Sequence, residues 1–155
     1  MAQICISTKD YKGEDALCNV VNYIIRESKT GGDYGGQGVL LSDPILCMNA
    51  VRKYYQNEGK QILHFWLSFS KYEYMTVPEA MNIGCEVAKF FVDFQVVFGC
   101  HQDTEYLHVH WAINPVNIRN GRKLTFKYAD TYDLKKHIDN VLDVYGIRCD
   151  PISYK

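Results

Sequence analysis

The segment QILHFWLSFS, residues 61–70, alternates apolar and polar side chains along its length. In an extended strand successive side chains point to opposite faces. Leu63, Phe65, Leu67 and Phe69 therefore share one side, and His64, Trp66, Ser68 and Ser70 the other. LHVHWAIN, 107–114, repeats the pattern, with Leu107, Val109, Trp111 and Ile113 opposed to His108 and His110. Strands that alternate this cleanly have one covered face and one free face. The pattern selects an α+β fold in two layers: a central antiparallel sheet with helices mainly on one face.

The rest of the chain supplies the helices. EDALCNVVNYIIRES, 14–28, carries Leu17, Val20, Val21, Ile24 and Ile25 on one stripe, with Asn19, Tyr23 and Arg26 on the other side. A second helix is expected over 43–59, with Asp43 as cap and Pro44 in the first turn. A third spans 76–94, capped by Thr76, and a last one 129–146, with Leu134, Ile138, Val141, Leu142 and Tyr145 on its stripe. Short strands are expected at 3–8 and 95–101. KTGGDYGGQG, 29–38, reads as a flexible loop, too irregular for a phosphate-binding loop and followed by no Gly-Lys-Ser/Thr. The Asn120-Gly121 pair predicts a tight turn, hence a hairpin over 115–127.

At 155 residues one domain, 1–155, is expected. The net charge of −1 argues against a globally basic nucleic-acid binder but leaves room for a local basic groove. Six cysteines, Cys5, Cys18, Cys47, Cys85, Cys100 and Cys149, form no Cys-x-x-Cys pair, and no signal peptide opens the chain, so reduced thiols in a cytoplasm are expected. No apolar run approaches the roughly 20 residues a membrane span requires.

Three of the five histidines fall within ten positions, His101, His108 and His110. Pairing 95–101 with 107–114 about a loop centred between Thr104 and Glu105 sets His101 opposite His108, with Cβ atoms roughly 5 Å apart. His110, two residues on, shares that face, while the alternates point into the helix layer. A one-residue slip would remove His101 from the group. Three imidazoles so placed can hold one divalent ion and leave positions open for a substrate; a polar strand face with three solvated histidines is the plainer alternative. Asp103 is a candidate to orient or complete such a site, or a simple loop residue. His137 reads as solvated, and His64 as either near the site or merely polar.

At this point the residues bear a resemblance. HQDTEYLHVHWAINPV resembles motif III of conjugative relaxases of the MobA/MobL mobilisation type, which are HUH endonucleases with two histidines flanking one hydrophobic residue. HFWLSF resembles their motif II, with the motif's serine at Ser68, and NVVNYIIRESKTGG their motif I, with the nucleophile at Tyr23. The resemblance runs in family order from about Asn19 to Ile147, with NGRKL and the last helix in their expected places. It implies an HUH relaxase fold, metal ligands His101, His108 and His110, and a divalent metal ion, Mn²⁺ or Mg²⁺ with Zn²⁺ as a further option. It also implies long C-terminal regions, which are expected to be missing from these 155 residues.

The implied reaction is nicking of single-stranded DNA at an origin of transfer, with the 5′ phosphate retained on tyrosine and the strand later rejoined. Accessory relaxosome proteins are expected partners. Arg26, one helical turn from Tyr23, is a candidate phosphate contact, against the alternative of a solvated surface arginine. Ser68 is a candidate contact to a backbone phosphate, and Glu73 a candidate for proton transfer or a turn carboxylate. Lys29, Arg119, Arg122 and Lys123, with Lys127, are expected to line a groove for single-stranded DNA, with Trp66 or Tyr34 as stacking surfaces; a solvated basic face is the alternative. Two further alternatives are a non-catalytic DNA-binding remnant or regulator and an unrelated metal hydrolase. A rolling-circle replication initiator usually has its tyrosine after the histidine motif, which disfavours that reading.

Overall fold

Six strands form one open sheet in the order β2-β4-β5-β3-β1-β6. The computed structural model describes all 155 residues. Along the chain these are β1 (Gln3–Ile6), α1 (Ala16–Ile25), α2 (Glu27–Thr30), β2 (Tyr34–Gln37), α3 (Pro44–Tyr54), β3 (Leu63–Ser68), α4 (Val77–Ala88), β4 (Val96–His101), β5 (His108–Ile113), α5 (Tyr128–Asp143) and β6 (Ser153–Tyr154). Four of the five strand pairs are antiparallel, and β6 adds parallel to β1. No helix is long and apolar enough to cross a membrane.

The alternation in β3 and β5 sorts the sheet into two faces. Leu63, Phe65, Leu67, Val109, Trp111 and Ile113 join the buried side chains of α4 and α5 in a core of 22 residues. Phe65 and Trp111, paired across the strands, stack with centroids 4.8 Å apart, and Trp111 Nε1 donates to the Gly84 carbonyl of α4 at 3.0 Å. The helix starts match the sequence signals. Asp43 accepts from Leu46 N at the head of α3, and Thr76 and Glu79 form a reciprocal capping box on α4.

The opposite face is not free. The stripe of α1 (Leu17, Val20, Val21, Ile24) packs with Met48 of α3 and with Ile62, Val97 and Ala112 in a second core of eight residues. Most of the helical packing lies on the α4/α5 face, but α1 and α3 add a partial third layer. The α1 stripe requires an apolar surface to bury, and Val97 and Ala112 provide one.

Two local expectations change. Residues 34–37 of the glycine-rich segment are strand β2, paired with β4. Tertiary pairing overrides local composition here. A Cβ at Gly35 would lie 2.6 Å from the Phe98 ring, and one at Gly36 2.7 Å from Val39, so only glycines let this edge strand close. The expected 115–127 hairpin reduces to a single bridge, Val116 with Lys123, around the Asn-Gly turn, where Gly121 has φ +73°. All six cysteines are free.

Candidate active site

The register of β4 and β5 sets His101 directly against His108 and Gly99 against His110. On the other side β3 sets Trp66 against His110 and Ser68 against His108. The three histidines therefore share a face, and His101 and His110 stack with centroids 4.2 Å apart. They form the floor of a cavity of about 810 Å³, with Tyr23, Lys29, His64, Trp66 and Asp103 among its lining residues.

Gly99 explains how α1 reaches this floor. A Cβ at Gly99 would lie 2.3 Å from the carbonyl oxygen of Ile24, so the glycine lets the last turn of α1 descend onto β4. The Ile24 carbonyl accepts from His101 Nε2 at 3.0 Å. Tyr23, the preceding residue, is half-buried, and its ring lies edge-on 5.1 Å from His101, 5.5 Å from His110 and 6.3 Å from His64.

The cation beside Tyr23 is Lys29 rather than Arg26. On an unbroken helix Arg26 would follow Tyr23 around the same side. Instead α1 ends at Arg26, whose backbone is extended at φ −54°, ψ 128°. The turn turns the Arg26 side chain to solvent, outside the residues lining the cavity. The short α2 then doubles back. Gln102 pins it through its side chain to Thr30 O (2.6 Å) and through its backbone N–H to Lys29 O (2.6 Å). Lys29 Nζ sits 5.1 Å from the Tyr23 ring centroid and 2.8 Å from Asp103 Oδ2.

The basic residues expected to form a DNA groove divide. Lys29 is in the cavity, whereas Arg119, Arg122 and Lys123 follow the far end of β5 and are exposed outside it. Arg119 pairs with Asp93 at 2.8 Å, and Lys123 donates to the Glu58 carbonyl. The cavity's own cations are Lys9 and Lys155, just beyond β1 and β6, and Lys29 of α2, with Asp103 as the one acidic side chain. Trp66 lines the cavity, stacked on His110 at 5.7 Å, and Tyr34 does not. Ser68 is half-buried on the histidine face but outside the lining. Glu73 belongs to a turn, bonded to Ser70 and remote from the site. His137, expected to be solvated, is half-buried; it bonds the Glu86 carbonyl at 2.9 Å and so ties α5 to α4.

The sequence leaves His64 open, as a residue near the site or a merely polar one on the free face of β3. It is a buried member of the cluster, its Nε2 3.0 Å from His110 Nδ1. The strand-pairing argument that joined His101 to His108 also reaches His64 once β3 is placed beside β5. Ser7, Lys9 and Tyr11 carried no comparable signal, because only the pairing of β1 with β3 brings them to the rim.

Burial holds all four imidazoles below their ordinary range, His64 down at about 4 and His101, His108 and His110 likewise lowered. They are neutral at pH 7, each with one lone-pair nitrogen. His101 must carry its proton on Nε2, since a carbonyl only accepts. His108 Nδ1 meets Thr104 Oγ1 at 3.2 Å. His101 Nδ1, His108 Nε2 and His110 Nε2 are the ring nitrogens outside these bonds. Their chemistry suits a divalent ion, but no three His, Cys, Asp or Glu side chains converge at ligating distance, the His101 and His110 rings lying stacked at 29°.

Fold and site together define an α+β domain whose cavity sets a tyrosine beside imidazoles and lysines. A family model described as the nuclease domain of MobA/VirD2-like relaxases matches residues 23–147, and the chain belongs to that family. Its members are nuclease domains of DNA nicking in conjugative transfer. A solved structure described as "Molecular Basis of Vancomycin Resistance Transfer in Staphylococcus aureus" aligns at TM-score 0.54 and 13% identity, over 78% of this chain and 75% of that one. At that identity the likeness shows the fold. No curated protein matches the chain.

Proposed function

We propose that residues 1–155 act as one relaxase domain that nicks single-stranded DNA at an origin of transfer through a covalent phosphotyrosine on Tyr23. The observation that carries this reading is the Tyr23 ring set 5.1 and 5.5 Å from His101 and His110 in a cavity with three lysines. The Tyr23 oxygen attacks the scissile phosphorus and gives up its proton. The bond to the 3′ oxygen breaks, that oxygen leaves as a hydroxyl, and the 5′ phosphate stays on the protein. Reversal by a 3′ hydroxyl rejoins the strand with no other energy source.

Lys29, 5.1 Å from the Tyr23 ring centroid, supplies positive charge near the tyrosine and the incoming phosphate. Lys9 and Lys155 hold flanking phosphates, and Trp66 offers a ring on which a base can stack. His101, His108 and His110 would hold a divalent ion, Mn²⁺ or Mg²⁺ with Zn²⁺ as a further option, once rotation of the His101 and His108 rings brings their open nitrogens toward His110 Nε2. When bound, such an ion neutralises charge on the scissile phosphate. Accessory DNA-bound proteins are expected partners at the origin.

The test is a 3′-labelled single strand from the transfer origin of the element that encodes the protein, incubated with Mn²⁺ and run on a denaturing gel. The expected product is a slow protein–DNA adduct, absent in Tyr23→Phe, a loss of at least about a thousandfold. An adduct that survives the substitution sinks the nucleophile assignment. Cleavage without adduct indicates water as nucleophile, and binding alone a non-catalytic DNA-binding module.

A further inference from the structure

A buried hydrogen-bonded chain leads away from the histidine cluster, beyond the residues the proposed reaction uses. His64 Nε2 lies 3.0 Å from His110 Nδ1. Its other nitrogen, Nδ1, lies 3.3 Å from the Tyr11 hydroxyl. That hydroxyl lies 2.9 Å from Ser7 Oγ. Both ends of the chain are tied to β3 or its flank through the backbone: Ser7 N donates to His64 O at 3.0 Å, and Gln61 N donates to Tyr11 O at 2.9 Å. His64 and His110 are 9% and 7% exposed, so neither has bulk water as a substitute partner.

Two neutral imidazole nitrogens in one hydrogen bond share a single proton, which leaves two polarities. In one, His110 Nδ1 donates to His64 Nε2, His64 Nδ1 donates to Tyr11, and Tyr11 donates to Ser7. His110 Nε2 then keeps its lone pair for the cavity. In the other every donor and acceptor is reversed, and Nε2 carries a proton. A ligating histidine needs the first arrangement. Hydroxyls at Tyr11 and Ser7 can each donate or accept, so they complete it.

We propose that His64 and Tyr11 are positioning residues that set the tautomer and ring orientation of His110 for a divalent cation; the inference rests on the metal site of the proposed function. A carboxylate is the usual partner for a metal-bound histidine. A neutral His–Tyr–Ser chain does the same task without adding negative charge to a cavity that must admit a phosphodiester. The chain also assigns a role to Tyr11, which the sequence offers only as one of twelve tyrosines.

The experiment is calorimetric titration of the DNA-free protein with Mn²⁺ alone, with the unfolding midpoint of each metal-free variant measured alongside. His64→Phe removes the acceptor for His110 Nδ1 and is expected to weaken Mn²⁺ binding by about 10–100-fold. His64→Gln, whose amide oxygen can accept the same hydrogen bond, is expected to stay within about threefold of the native protein. Tyr11→Phe removes only the next link, for a loss of about fivefold. The glutamine and Tyr11 variants decide the matter if the phenylalanine variant does not fold.

Native affinity in His64→Phe, or in Tyr11→Phe should the former not fold, overturns the inference alone. So does a His64→Gln variant as weak as His64→Phe, which would make His64 itself a ligand. If the native protein takes up no Mn²⁺, or takes it up equally well as His108→Ala, the metal site of the proposed function falls and this inference with it, while the Tyr23 adduct is still judged by its own gel.

Discussion

The two faces of the sheet are built from the same strands and do opposite work. On the α4/α5 face the alternate residues of β3, β4 and β5 are apolar and vanish into a 22-residue core. On the α1 face the same strands change character along their length. Val97 and Ala112 pack under α1 and α3 at one end, and His101, His108 and His110 form a polar floor at the other. One face therefore carries most of the apolar burial that stabilises the domain. The other holds a helix end and four neutral imidazoles in a defined place. The site is built where a helix covers the sheet incompletely.

Substitutions on the two faces should separate stability from chemistry. The largest effect is expected from Trp111→Ala on the core face, which empties a fully buried ring position and strands the Gly84 carbonyl. Urea unfolding should show a loss of about 3–5 kcal/mol. Gly99→Ala acts on the α1 face, midway between Val97 and His101: its methyl would press on the Ile24 carbonyl and push α1 off β4. It should cost about 1–3 kcal/mol and, by displacing Tyr23, slow adduct formation about a hundredfold.

The smallest effect on stability is expected from Lys29→Ala. It removes a partly exposed ion pair with Asp103, so unfolding should move by less than about 1 kcal/mol while adduct formation falls about tenfold. Arg122→Ala, outside the cavity, should change adduct formation by less than about twofold. If Lys29→Ala proved as destabilising as Trp111→Ala, the division between the faces would fail. If Arg122→Ala matched Lys29→Ala in slowing adducts, the DNA path would extend past the far end of β5.

Much of this was legible beforehand wherever the governing rule is local. Period-2 alternation sorted Leu63, Phe65, Leu67, Val109, Trp111 and Ile113 to one side, and the loop length between β4 and β5 predicted the His101–His108 pair that the register shows. The caps of α3 and α4 followed from Asp43 and Thr76. Helical periodicity sets Arg26 beside Tyr23 only if the helix runs on through Arg26, whose backbone is extended. Arg119, Arg122 and Lys123 were grouped with the site because proximity in a supposed hairpin stood in for proximity in space. Residues 34–37 read as loop because a glycine run has low intrinsic strand preference, and only the Phe98 ring and the β4 backbone make glycine the fitting residue there.

Sequence alone determined which residues share a face and which histidines face one another, because strand alternation and short-loop register are properties of a few consecutive residues. Tertiary structure alone decided that α1 lies across the polar face, that Gly99 admits its end, that Lys29 rather than Arg26 attends Tyr23, and that His64 and Tyr11 stand behind His110. Those choices depend on which surfaces meet, and surfaces meet through contacts between residues tens of positions apart, for which no local period exists.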